Sequence, residues 1–282
     1  MNRRSVERYF ERIGARVTIR KGTGRRLIRR EPISALTINV TKDSKGEHFT
    51  MTVNPDVLDE ERDIEIQLLD YDKNLRQMLL LITTPQDFDY PLNKAIHKNN
   101  SRTERLLVGH DEMHWFVAGV SEAKTIKEAF ERLRPKAVTL AFEKSGDRNK
   151  NRMRRRTKGF IRQGEWFFVP VHFIEDKMTI IHKNEPISRT GGTPHIVEEL
   201  VRTGGKPVYV HKQTNNVILD SEYNKLPKLY RDLYEQRREN AKVLARGKIK
   251  HRDHHTVLLK GWHEVFLSTE RTMSGGTNAF ID

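Results

Sequence analysis

The sequence predicts an α+β protein with mixed, mostly antiparallel sheets and about four helices, a β-rich N-terminal unit preceding a larger α/β unit. Three observations predict it. Short apolar runs that alternate with polar residues recur along the chain, as in Ile64-Glu65-Ile66-Gln67-Leu68, and suit strands with one buried face. Turn signals such as Asp43-Ser44-Lys45-Gly46 separate them at hairpin distance. Few segments place apolar residues three and four apart, as an amphipathic helix requires.

The first helical segment is 2–13, with Val6, Tyr9, Phe10 and Ile13 on one side and Gly14 as a stop. Ala15–Arg20 reads as a strand, Ala35–Val40 and His48–Val53 as a hairpin, and Ile64–Leu68 and Arg76–Thr83 as further strands. Together they give a β-rich unit over 1–84. Residues 85–104, with Pro85, Pro91 and Asn99-Asn100-Ser101, read as a linker. The main α+β domain is then 105–267. Its strands are Arg105–Val108 and His114–Val120, followed by a helix opened by the capping box Thr125-Ile126-Lys127-Glu128 and stopped at Pro135. Ala137–Phe142 is expected as a strand, 144–162 as a basic insertion, and Trp166–Val171 as a buried strand.

Thr193-Pro194 is expected to cap a third helix, with Ile196, Val197, Leu200 and Val201 inward and Gly204-Gly205 at its end. Val208–His211 and Val217–Leu219 form a hairpin, Pro227 opens a fourth helix to about Ala245, and Lys248–His251 and Thr256–Leu267 close the domain as strands. A polar, glycine-rich tail, expected to be mobile, runs over 268–282.

Charge narrows the partner. The chain has 282 residues, 52 of them Lys or Arg against 38 Asp or Glu, for a formal net charge of +14. A field of that sign draws polyanions, so RNA or DNA is the expected partner. No apolar run approaches the length that spans a bilayer, and the acidic Glu7 and Glu11 are unlike a transit peptide. The expected setting is cytoplasmic, without a membrane partner. The absence of cysteine excludes disulfides, thiolate metal sites and a cysteine nucleophile.

The basic residues cluster. Arg148, Lys150, Arg152, Arg154, Arg155, Arg156, Lys158 and Arg162 stand against one acid, Asp147. Arg8, Arg12, Arg25 and Arg26 belong to a second concentration near the N-terminus. Cations of this kind neutralise backbone phosphate and release its counterions. Phe160 and Trp166 add a candidate stacking face.

Two histidine sets suggest chemistry. His110-Asp111-Glu112-Met113-His114 and His251-Arg252-Asp253-His254-His255 both hold His-x-acid-x-His. In an extended strand, residues two apart share a side, so His110, Glu112 and His114, or His251, Asp253 and His255, could hold a divalent metal or serve in acid–base catalysis. His263 is a candidate third histidine beside the second set if the last strand folds back on it. Neither set has the helical spacing of a zincin. Arg189, Gly191, Gly192 and Thr193, ahead of the third expected helix, form a candidate phosphate site. His195 and Glu199 fall on the exposed side of that helix.

Three functions follow as expectations: a nucleic-acid-binding protein gripping phosphate, a metal-dependent phosphodiesterase or nuclease, and a non-catalytic assembly protein on nucleic acid. A divalent metal ion is the cofactor the histidine sets suggest.

Overall fold

The computed structural model describes residues 1–22, 36–53, 64–85, 101–188 and 193–269. The fold is α+β with mostly antiparallel sheets, and its helices are short. Among the described residues no helix is long and apolar enough to cross a membrane. The chain divides into two units, one built on Met1–Leu140 with Arg148–Arg154, the other on Ala141–Asp147 with Arg155–Leu267.

In the first unit, helix α1 (Arg3–Arg12) starts at Asn2, whose side chain accepts the Ser5 N–H, as an N-cap should. Strands β1 (Val17–Lys21), β2 (Leu36–Asp43) and β3 (Gly46–Val53) form a sheet in the order β1-β3-β2. The β2–β3 hairpin turns where Asp43–Gly46 predicts, and β1 runs parallel to β3. Strands β4 (Glu65–Asp72), β5 (Gln77–Pro85), β6 (Ser101–Asp111) and β7 (His114–Val120) make an antiparallel meander. Phe10, Phe49, Met51, Met78, Leu80 and Val108 form a continuous core between helix and sheets. On the meander's other face, Leu79 and Leu107 pack with Ile126 and Ala129 of helix α2 (Ile126–Leu133). Asp70 accepts the Ile126 N–H at 2.9 Å, and Thr125 accepts that of Glu128 at 3.2 Å.

This arrangement corrects the expected boundary. β5 and β6 pair from Gln77↔Gly109 to Pro85↔Ser101, so one sheet runs across the stretch read as a linker. Residues 101–104 belong to β6, and 86–100 lie outside the described residues. The β-rich unit therefore extends past 84, and the division falls near 140–155.

Ala137–Phe142 is not a strand but part of helix α3 (Lys136–Lys144). Val138 and Phe142, one helical turn apart, are buried while Leu140 is exposed, which is a 3.6-residue period. Pro135 stops α2 and also sits where the next helix begins.

The second unit is built on a six-stranded antiparallel sheet. Its strands β8 (Ile161–Gln163), β9 (Trp166–Pro170), β10 (His182–Ile187), β11 (His195–Thr203), β15 (Lys242–Lys250) and β16 (Val257–Leu267) lie in the order β10-β11-β15-β16-β9-β8. One face buries Trp166, Phe168, Val197, Leu200, Ala245, Ile249 and Leu259, the other Val201, Leu244 and Trp262. A smaller sheet of β12 (Lys206–His211), β13 (Val217–Leu219) and β14 (Tyr234–Glu239) has the order β13-β12-β14. Helices α4 (Asp220–Tyr223) and α5 (Lys228–Arg231) are single turns.

Two expected helices are overturned here. Residues 195–203 are strand β11, an interior strand next to the edge strand β10. Buried positions 195, 197, 200 and 201 imitate a helical pattern, and the register with β15 shifts within this run, between Val197 and Glu199. There two steps along β11 oppose three along β15, since Val197 faces Ile249 and Glu199 faces Arg246. Such a bulge interrupts the period-2 alternation. Residues 227–245 hold only the turn α5 before β14 and β15; Asn240, at φ 58°, sits between these strands.

Candidate functional site

Three imidazoles converge at one end of the six-stranded sheet, and the register explains how. Ile196 faces Lys250 in the β11–β15 pair, so His195 at the start of β11 comes beside His251 just beyond β15. Ile249 faces Val257, so residues 251–256 turn back and carry His254 over the same spot. Ring centroids are 4.1 Å apart for His195 and His251, 4.7 Å for His251 and His254, and 5.5 Å for His195 and His254, all near parallel. One ring nitrogen from each lies within 4.8 Å of the others.

The β8–β9 turn supports this connection. Gln163, fully buried, donates its side-chain amide to the carbonyls of Ile249 at 3.2 Å and His255 at 2.6 Å. Gly164 follows at φ +56°, and a Cβ there would stand 2.6 Å from His254 Nε2. His251 Nε2 lies 3.2 Å from the Thr193 carbonyl and its Nδ1 3.0 Å from the Asp253 N–H. The tautomer with Nε2–H donating to Thr193 satisfies both contacts.

His195 is different. It is 1 % exposed, and neither ring nitrogen has a hydrogen-bond partner. Leaving a buried polar group unsatisfied costs about 1–3 kcal/mol. Burial, with His251 and His254 alongside, pushes its imidazole down to about 3 from the ordinary 6.5. It is held neutral, lone pair available.

The expected sets fare differently. Of His251, Asp253 and His255, only His251 joins the cluster; residues 251–256 bend instead of extending, so the histidine three residues on, not four, meets it. His255 is exposed. His110, Glu112 and His114 belong to the first unit and do not share a side. The β6–β7 hairpin turns between Asp111 and His114, with Glu112 at φ 53°. His114 Nδ1 instead meets Glu47 at 2.5 Å, while His110 packs edge-on to Trp115 at 5.0 Å. The one group of metal-ligating geometry among the described residues is His195, His251 and His254.

His263 does not complete that cluster. The strand does fold back, but His263 pairs with Ala245 and Pro170, about 20 Å along β16 from Val257 at roughly 3.3 Å per residue. It is 4 % exposed, its Nδ1 2.9 Å from the Gly261 carbonyl. Burial first, then the Arg156 cation, lowers its pKa; the Gly261 contact opposes them. Unfolding therefore adds a proton below the ordinary histidine pKa, and stability present above about pH 6.5 falls as acid is added. His263→Leu is expected to lose less stability than the parent between pH 7 and pH 5 in urea denaturation. Equal losses would count against the assignment.

Arg189, Gly191 and Gly192 lie outside the described residues, and Thr193 precedes a strand. The helix that was to orient a phosphate there is absent. His195 is inside rather than on an exposed face, and Glu199 is 2.5 Å from Arg246 Nε.

In the basic segment, Arg148, Lys150, Arg154, Arg156 and Lys158 are exposed, and Arg152, Arg155 and Arg162 are half-buried. Arg152 has a structural role: it meets Glu131 at 2.9 Å, and its carbonyl accepts from Arg134 at 2.6 Å. Lys158 N–H donates to Asp147 at 2.9 Å. Phe160 and Trp166 are buried, at 1 % and 2 % exposure, so neither offers a stacking face. Arg8 and Arg12 are exposed, with Arg12 over the Tyr71 ring at 5.0 Å. Arg25 and Arg26 lie outside the described residues. Compared with models of protein families, with curated proteins and with solved structures, the chain has no match in any of the three.

Proposed function

We propose that the protein binds nucleic acid through backbone phosphate. The observation that carries this reading is the exposure of Arg148, Lys150, Arg154, Arg156 and Lys158 within eleven residues of a chain with net charge +14. Exposed cations so close in sequence suit a polymer of regularly spaced charge, whose affinity comes from counterion release. The buried aromatics give no support to base stacking, so the expected recognition is of the backbone.

Binding of a single-stranded RNA and of duplex DNA, each measured across a salt series, tests this. Arg154→Ala, Arg156→Ala and Lys158→Ala combined are expected to weaken binding on the order of ten-fold or more and to lower the slope of log K against log salt by about 3 on duplex DNA. Unchanged affinity and slope would place the binding surface elsewhere or remove it.

A metal-dependent phosphodiesterase is the second reading, favoured by the three converging imidazoles. It predicts cleavage of the bound polymer once Zn²⁺ or Mn²⁺ is supplied. Binding without cleavage leaves the non-catalytic role on nucleic acid.

A further inference from the structure

We propose that His195, His251 and His254 form a binding site for a borderline transition-metal dication, Zn²⁺ in the first place. This does not depend on nucleic-acid binding. The three residues come from two separate stretches of sequence, brought to one end of the sheet by the register of β11, β15 and β16. Their ligand nitrogens lie within 4.8 Å of one another. A tetrahedral ion with Zn–N bonds of about 2.0–2.1 Å needs neighbouring nitrogens about 3.3 Å apart, so taking up the ion requires the three rings to turn out of their near-parallel stack until their lone pairs converge.

His195 provides the independent sign of a ligand. A histidine that only fills a core satisfies its N–H with a carbonyl or carboxylate, because burying it unsatisfied is unfavourable. His195 is 1 % exposed, and both its ring nitrogens lack a partner. A metal at the cluster would take one of them. His251 already shows the contact that commonly orients a ligating imidazole, Nε2 against the Thr193 carbonyl at 3.2 Å. An ion at its Nδ1 would displace the Asp253 N–H now held there at 3.0 Å. Gly164 leaves space for His254, where a Cβ would come within 2.6 Å of Nε2.

The ligand set also selects the ion. Three imidazoles without a carboxylate suit zinc, cobalt, nickel or copper and disfavour magnesium and calcium, which require oxygen. Neutral ligands leave the ion's full dipositive charge uncompensated. The fourth position therefore takes water, hydroxide or an anion, as in open three-histidine zinc sites.

The test uses the full chain, freed of metal with a chelator and titrated with Zn²⁺ alone by calorimetry and with Co²⁺ alone by visible absorption. The expected result is one equivalent per chain, the d–d spectrum of four-coordinate Co²⁺, and a higher melting temperature in Zn²⁺. Because His195 lies in the core, the ligand test rests on the half-buried pair: His251→Gln and His254→Gln, each confirmed folded by circular dichroism, should weaken binding about 100-fold or more. His172→Gln, at an exposed position, should leave it unchanged. With 12 histidines in the chain, stoichiometric binding that survives both ligand variants would assign the ion to other residues and overturn the proposal. So would the absence of stoichiometric binding.

Discussion

Phe49→Ala is expected to destabilise the first unit by about 3–5 kcal/mol, the usual cost of emptying a buried aromatic site. Phe49 is 0 % exposed on the central strand of its sheet. Its ring meets Phe10 of α1 at 5.0 Å and Trp115 of β7 at 5.3 Å, so one side chain joins a helix and two sheets. Each aromatic pair adds about 0.5–1.5 kcal/mol beyond area burial. The measurement is the urea midpoint at unchanged slope. A loss below about 1 kcal/mol would show that the three elements do not depend on this ring.

Gly159→Ala should be comparably damaging in the second unit, although it adds only one methyl group. A Cβ at 159 would stand 2.6 Å from Phe142 Cα and 2.8 Å from the Ala141 carbonyl oxygen. Both are backbone atoms of α3, so no side-chain rotation relieves the contact. Overpacking of a core typically costs about 1–3 kcal/mol, and a clash against backbone belongs at the upper end. The neighbouring Phe160 is held edge-on to Phe167 at 5.6 Å and tilted to Phe142 at 6.1 Å. Displacing Gly159 therefore disturbs both rings. A midpoint equal to the parent's would mean that the segment shifts freely away from the helix.

Much of the first unit was legible because its signals are local. A capped helix, a turn at Asp43–Gly46 and strict alternation through Ile64, Ile66 and Leu68 each depend on a few neighbouring residues. The second unit was less so, because one of its interior strands, β11, breaks its own period. Across the register shift near Val197 the buried residues of β11 are spaced like those of a helix, and Thr193-Pro194 and Gly204-Gly205 look like its ends. The β-branched Ile196, Val197 and Val201 were the available contrary signal, together with a glycine pair that also suits the hairpin into β12.

The same misreading hid the centre of the candidate site. Placed on a helix, His195 faces outward; placed on β11, it faces inward toward His251. The richer sequence cue, His-x-acid-x-His, was half right, since His251 belongs to the cluster but Asp253 and His255 do not. Its partner lies 56 positions earlier in the chain, and only strand register connects them. Sequence spacing at 110–114 misled for a simpler reason: a hairpin turn at Glu112 ends the extended chain that the spacing argument needs.

The parallel seat of β1 on β3 bears on how safely this chain is made. β2 and β3 form a local hairpin that can close in about 1–10 μs, leaving one side of β3 with bare N–H and C=O groups. A bare, apolar edge carrying Phe49, Met51 and Val53 is a template for another chain. The strand that covers it, Val17–Lys21, precedes the hairpin in sequence. During synthesis the strand that covers this edge is thus already present when the edge first forms.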